Sequence, residues 1–219
     1  VVGASGGVNH HGRYLNSQSD AESSGRIFIF DVSEAPTPTD PSLVAHYPFS
    51  GNANDFSGNN NNGTVRGADL STGQGGDANG SYLFDGTNDD IAIGDKGFPM
   101  GNSPRTISGW VKADASGTGD QTLLFYGKRE AGKGFWLGVD GTGELEASGY
   151  GDTAASHDFD ANGTNLKDGN WHHIAWTWRS SDGLSLLYDN GQLVHSHLNH
   201  NTDHSIQLGG SLYIGQDQD

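Results

Sequence analysis

The sequence predicts an all-β protein built as an antiparallel β-sandwich. Three observations carry this expectation. Apolar residues arrive in short clusters, such as Ile27, Phe28, Ile29 and Phe30, or Leu123, Leu124, Phe125 and Tyr126. Glycine makes up 35 of the 219 residues, and Asn-Gly or Asp-Gly pairs recur between the clusters. Short strands joined by tight turns need this texture, because Gly and Asn reach the positive φ that hairpin turns demand. Five tryptophans and nine phenylalanines supply material for a core. No stretch keeps a helical period for more than one or two turns.

Taken in order, residues 1–33 hold two apolar clusters, Val1-Val2 and Ile27 to Phe30, around a polar loop, and read as an N-terminal β segment. Residues 34–42 carry Pro36, Pro38 and Pro41 and read as a stiff linker that resists helix and central strand alike. Residues 43–219 form the main domain. Its expected strands are 43–49, 81–84, 90–93, 106–111, 122–126, 134–139, 145–147, 172–178, 184–188 and 211–214. Asn62-Gly63, Asp85-Gly86, Asp140-Gly141, Asp182-Gly183 and Asn190-Gly191 break the chain between them. In 172–178, period-two alternation puts His172, Ile174, Trp176 and Trp178 on one face, with His173, Ala175 and Thr177 on the other.

The formal charge of −16 repels nucleic acid phosphates and anionic membranes, so neither is an expected partner. No apolar run approaches the roughly 18–20 residues of a membrane span, which argues against membrane insertion. Cysteine is absent, so disulfides and thiolate metal sites do not contribute. The chain opens on Val1 rather than Met and reads as an excised or processed piece of a larger surface protein. Acidic, Asn-rich loops suit a hard cation, and Ca²⁺ is the expected one.

Several blocks resemble the laminin-G-like, concanavalin A-like jelly roll family. They are L-V-A-H-Y-P-F-S-G-N-A-N-D-F-S-G-N from Leu43, N-G-T from Asn62, S-Y-L-F-D-G from Ser81, T-I-S-G-W-V from Thr106 and D-G-N-W-H-H-I-A-W-T-W from Asp168. The final L-Y-I-G-Q-D-Q-D resembles the pentraxin branch, which implies calcium ligands at Asp217, Gln218 and Asp219. After Lys128-Arg129, where that branch places Asp-Asn ligands, this chain has Ala131-Gly132, with Glu130 nearest. The family continues beyond this point with a closing strand beside the first, so the domain reads as incomplete and strand 43–49 as open-edged, unless another segment fills the gap. Residues 26–32 are the candidate for that, within one chain or donated to a neighbour. That edge would invite homo-oligomer formation. V-V-G-A-S-G-G followed by S-G-R-I-F-I-F-D resembles one FG-GAP-type repeat.

Candidate sites follow from residue types. The loop Gly51 to Asn59 offers closely spaced side-chain oxygens and turning glycines, with Asn54 and Asp55 the expected calcium ligands. Asp217 and Asp219 would share one side of an extended segment. His195, His197, His200 and His204 have partial metal-ligand spacing, but read better as histidines of an exposed hairpin. Phe135, Trp136 and Tyr150 could form an aromatic platform for a ligand, though Trp136 reads equally well as a core residue. Glu144-x-Glu146 is the nearest match to paired glycanase carboxylates, with no third acid following, so catalysis is not expected. Asn62, Asn79 and Asn162 open N-glycosylation sequons. The expected function is a calcium-dependent carbohydrate- or glycoprotein-binding adhesion module, extracellular or on a cell surface. A structural or filament-forming subunit and a glycanase are the alternatives.

Overall fold

The computed structural model describes residues 26–30, 41–117, 119–128, 133–149, 158–200, 206–207 and 210–215. Fifteen strands and no helix occur among them: β1 (Arg26–Phe30), β2 (Leu43–Tyr47), β3 (Thr64–Arg66), β4 (Asp69–Ser71), β5 (Ser81–Leu83), β6 (Asp90–Ile93), β7 (Arg105–Val111), β8 (Gln121–Gly127), β9 (Gly134–Val139), β10 (Leu145–Gly149), β11 (Asp158–Ala161), β12 (His172–Arg179), β13 (Leu184–Asp189), β14 (Gln192–His197) and β15 (Ser211–Ile214). One sheet runs β14-β13-β12-β7-β1-β2 and the other β11-β10-β9-β8-β15-β6-β3, with β4 and β5 as a separate hairpin. β1 pairs parallel with β2 and β7, and every other named pairing is antiparallel.

The expected alternation explains how the sheets stack. Ile174, Trp176 and Trp178 of β12 face a core shared with Leu124, Tyr126, Phe135, Leu137 and Val139 of the opposite sheet. Phe135 meets Trp176 edge-on at 5.4 Å and Tyr126 at 5.3 Å, which ties the two sheets together through aromatic rings. Each such ring contributes roughly 1.5–3 kcal/mol by leaving water.

Four strands within 43–219 lie outside the sequence expectation, and each for a visible reason. β3, β4 and β11 are only three or four residues long and largely polar, so no periodicity can build up. β14 follows the Asn190-Gly191 breaker, where both residues take positive φ (49° and 77°), as a two-residue hairpin turn requires. Its polar composition, Gln192 to His197, suits an outermost strand with one open side.

The edge expected to stand open at 43–49 is closed. β1 takes one side of β2. On the other side the 55–61 loop docks. His46 donates its N–H to Asp55 Oδ1 (2.9 Å) and accepts from the Phe56 N–H (2.8 Å). The Asn59 and Asn61 amides donate to the Leu43 and Val44 carbonyls at 2.9 and 3.0 Å. Backbone groups that a neighbouring chain could have paired are satisfied within this one. Residues 1–25 of the FG-GAP-like segment and most of the proline linker lie outside the described residues.

Candidate ligand-binding groove

Strand alternation sends Leu137 and Val139 into the core and turns Trp136 outward, onto the opposite face of the seven-stranded sheet. There Trp136 is paired with Ser148 of β10, while Glu146 sits opposite Gly138. Gly138 is required: a side chain there would run into the Trp136 ring, which lies across it. The indole is fixed by an N–H donated to Thr122 Oγ1 at 2.9 Å, and only 8% of the residue remains exposed.

These residues floor a groove of about 1420 Å³. Its walls come from Tyr82, Leu83 and the 84–89 turn, from the 112–121 loop and from Trp171. Each wall is held by its own hydrogen bonds. Asp85 Oδ1 accepts from the Thr87 N–H and Asp89 Oδ2 from the Asp85 N–H, at 2.8 and 2.9 Å. Gln121 and Asp114 exchange backbone–side-chain bonds at 2.9 and 3.0 Å, and Asp120 Oδ1 accepts from the Gly141 N–H at 2.9 Å. Hydrogen bonds from Ser116 hold the Asp114 carboxyl below the usual range.

Trp171 is carried by a turn that His172 fastens. Its Nδ1 lies 2.9 Å from Asp189 Oδ1 and its Nε2 3.1 Å from Asp168 Oδ1. Burial works against charge on this imidazole, but the bonds to Asp189 and Asp168 outweigh it and hold its pKa above the ordinary value. Asn170 and His172 together pull Asp168 down to about 2. The imidazole is therefore clamped between two carboxylates at the base of the turn.

Among the aromatic candidates, Trp136 lines the groove and Phe135 does not: its ring packs inside, against Tyr126 and Trp176. Tyr150 lies outside the described residues, as do Asp217, Gln218, Asp219, Glu130 and His204. Sequence reasoning passed over Trp171, Tyr82 and Ser148. Trp171 and Tyr82 had a signal, their places in the D-G-N-W and S-Y-L-F-D-G blocks. His200 departs from the exposed-hairpin expectation, because it is buried with Nδ1 2.6 Å from Ser185 Oγ. Its carbonyl accepts the Trp178 indole N–H at 2.8 Å, which makes it a packing residue.

Asn54 is exposed, while Asp55 does not fit a calcium ion. Both carboxylate oxygens are turned onto protein donors: Oδ1 accepts from His46 N and Ser57 N (2.9 and 2.8 Å), Oδ2 from Ser57 Oγ and Asn61 N (2.8 and 2.9 Å). The donated hydrogens put positive charge where the cation would sit. Among the described residues no cluster of three or more His, Asp or Glu side chains could hold a metal. No helix among them is long and apolar enough to cross a membrane.

Comparison with known proteins places this architecture. The mouse (Mus musculus) neuronal pentraxin receptor is 46% identical over 54 residues, which are 25% of this chain and 11% of that protein. The chain thus matches only a small part of that relative's length. Among solved structures, the binding domain of botulinum neurotoxin DC in complex with rat synaptotagmin II superposes with a TM-score of 0.55 at 12% identity, over 80% of this chain and 44% of that one. A botulinum neurotoxin type C structure gives 0.52 at 12% identity, over 81% and 43%. At such identities the likeness is one of fold. A laminin-G family model, described as the concanavalin A-like lectin/glucanases superfamily, matches residues 85–219, and the chain belongs to that family.

Proposed function

We propose that this chain is a glycan- or glycoprotein-binding module that works outside the cell or at its surface, with its ligand in the groove across β8, β9 and β10. The observation that carries the reading is the floor: an immobilised indole beside a hydroxyl, walled by fixed polar turns. An apolar plate with a few fixed polar groups is how concave sites orient a ligand. Two neighbours of the same fold support a recognition role. One was solved with synaptotagmin II, and the other is a toxin whose uptake depends on two ganglioside molecules. A glycan array is expected to show binding by the native chain that falls at least about tenfold in Trp136→Ala, in keeping with a lost aromatic contact of roughly 1.5 kcal/mol. Undiminished binding by Trp136→Ala would remove the groove from the site.

Calcium belongs to the same proposal through Asp217, Gln218 and Asp219, since the Asp55 loop is committed to the fold. Calcium is expected to raise the melting temperature by a few degrees over chelator, because a ligand of the folded state stabilises it by mass action. Superimposed melting curves would discard the ion. Self-association, expected at the β2 edge, is better supported at β14, the outermost strand of that sheet, where Leu193 is 55% exposed.

Hydrolysis has one observation in its favour. Glu146 lies opposite Asp160 of β11, so a second carboxylate comes from the neighbouring strand. Glu144 is removed from that pair, its Oε1 accepting the Gly163 N–H at 2.8 Å. The binding reading rests on the floor as a whole, and no reducing ends are expected from neutral or amino-bearing polysaccharides. Release that disappears in both Glu146→Gln and Asp160→Asn would establish a glycanase instead.

A further inference from the structure

We propose that His172 is the positioning residue of the Trp171 wall and a proton sensor. With a proton on each ring nitrogen it draws the 168–171 turn onto the sheet, and loss of one lets the turn and its indole swing away. Only the bearing of this motion on a ligand rests on the groove being the glycan site.

The geometry asks for two protons. Nδ1 lies 2.9 Å from Asp189 Oδ1 and Nε2 3.1 Å from Asp168 Oδ1, and a carboxylate can only accept. A neutral imidazole has one N–H, so one of these contacts then sets a lone pair against an oxygen. Asp189 is the partner that keeps its hydrogen. Its contact is shorter, and its side chain is 17% exposed against 35% for Asp168. The Asn190 amide nitrogen, 3.5 Å from Nδ1, stands at the limit of bonding reach and is a poor substitute donor. The lone pair therefore falls on Nε2, and Asp168 is the group pushed off.

The neighbouring elements do not relieve this conflict. β13 contributes Asp189, the turn contributes Asp168, and β7 sets the apolar Val111 across from His172. Lys167, next to Asp168, is turned to the Gly119 and Gly141 carbonyls at 3.1 Å. His173 lies on the other face of β12, its ring 5.2 Å from that of Trp110. Burial lowers its pKa, so it gives up its proton at a lower pH than His172 does. Once released, the turn keeps its own shape. Asp168 Oδ1 accepts the Asn170 N–H and Oδ2 the Asn170 side-chain amide, both at 2.8 Å. Upstream, buried Leu166 stays anchored through its N–H to Gly143 O at 2.8 Å, so motion is confined between Leu166 and His172. Half-buried Trp171 lies in that stretch and lines the groove.

The direction in pH follows. Burial opposes charge on the ring, but the bonds to Asp189 and Asp168 lift its pKa above the ordinary 6.5. The clamp is complete below 6.5 and is lost as the pH rises through the raised value.

Fluorine NMR of the chain grown with 5-fluorotryptophan reads this without any ligand, so its failure and that of the glycan site are separate results. The Trp171 signal is the one missing in Trp171→Phe. Between about pH 5.5 and about pH 9.5 it is expected to shift with the same midpoint as the His172 ring signals, and its solvent isotope shift to rise about twofold on the alkaline side. His172→Gln has no titrating ring and should abolish the step. Asp168→Asn keeps an acceptor for the Asn170 N–H but removes the charge. It should lower the His172 midpoint by about one pH unit and at least halve the step, which decides the matter should His172→Gln fail to fold. A Trp171 signal that stays put while His172 titrates would overturn the proposal, as would a His172 midpoint at or below 6.5. A step that follows His173 and persists in His172→Gln would overturn it too.

Discussion

Asp55→Ala is expected to lower the melting temperature by about 6–12 °C, and by the same amount in calcium as in chelator. The carboxylate accepts four hydrogen bonds that join the 55–61 loop to β2. Removing it strands the His46, Ser57 and Asn61 amides, while the Ser57 hydroxyl keeps the Val44 carbonyl as an acceptor; His46, Ser57 and Asn61 are all buried. Each buried donor left without a partner costs about 1–3 kcal/mol, with water recovering part where the site is exposed, so a loss of about 3 kcal/mol follows. At this chain length each kcal/mol moves the midpoint by roughly 2–4 °C. The loop also positions Asn61, whose amide bonds Val44 O and whose carbonyl accepts the buried Tyr47 hydroxyl at 2.5 Å. Loosening Asp55 should therefore unseat the edge of β2 and expose it to other chains. Asp55→Asn retains one acceptor oxygen and should lose about half as much. A midpoint within about 2 °C of the native chain for Asp55→Ala would refute this structural role, and a loss seen only in calcium would return Asp55 to a metal site.

The sandwich was legible because its strands repeat with period two and its turns carry Gly or Asn where φ must be positive. Alternation in strand 134–139 sets Phe135, Leu137 and Val139 on one face and Trp136 on the other, yet it could not say which face was buried. That choice is made by the partner sheet, where Trp176 waits for Phe135. The Asp55 loop misled for a related reason. Dense side-chain oxygens with glycines suit a calcium loop and a loop that hydrogen-bonds an edge strand equally well, and only the position of β2 separates them. The groove was out of reach altogether. Tyr82, the 112–121 loop, Ser148 and Trp171 are far apart in sequence and meet only when β8, β9 and β10 lie side by side.

Arg105→Ala is expected to cost about 3–4 kcal/mol. This arginine heads β7 from the inward face and is 4% exposed. Its guanidinium lies 5.1 Å from the Phe135 ring centre and 4.9 Å from that of Trp178, so it bridges aromatic rings of both sheets. Nε and Nη2 donate to Ser103 O at 3.1 and 2.8 Å, and Nη2 also to Gly101 O at 3.2 Å. Burial pulls the group down to about 10, so it stays protonated at neutral pH. Two ring contacts at about 0.5–2 kcal/mol each, the Ser103 carbonyl left without its donors and the cavity left by the side chain supply the estimate. Removing a buried charge returns part of its desolvation cost, which keeps the total from rising further. Arg105→Lys separates shape from charge. Its ammonium is not planar, cannot fork between two carbonyls and is more strongly hydrated, so a loss of about 2 kcal/mol is expected despite the conserved charge. Chemical denaturation measures all three chains. A lysine variant as stable as the native protein would show that any cation suffices there, and an alanine variant within about 1 kcal/mol would show that the rings pack without one.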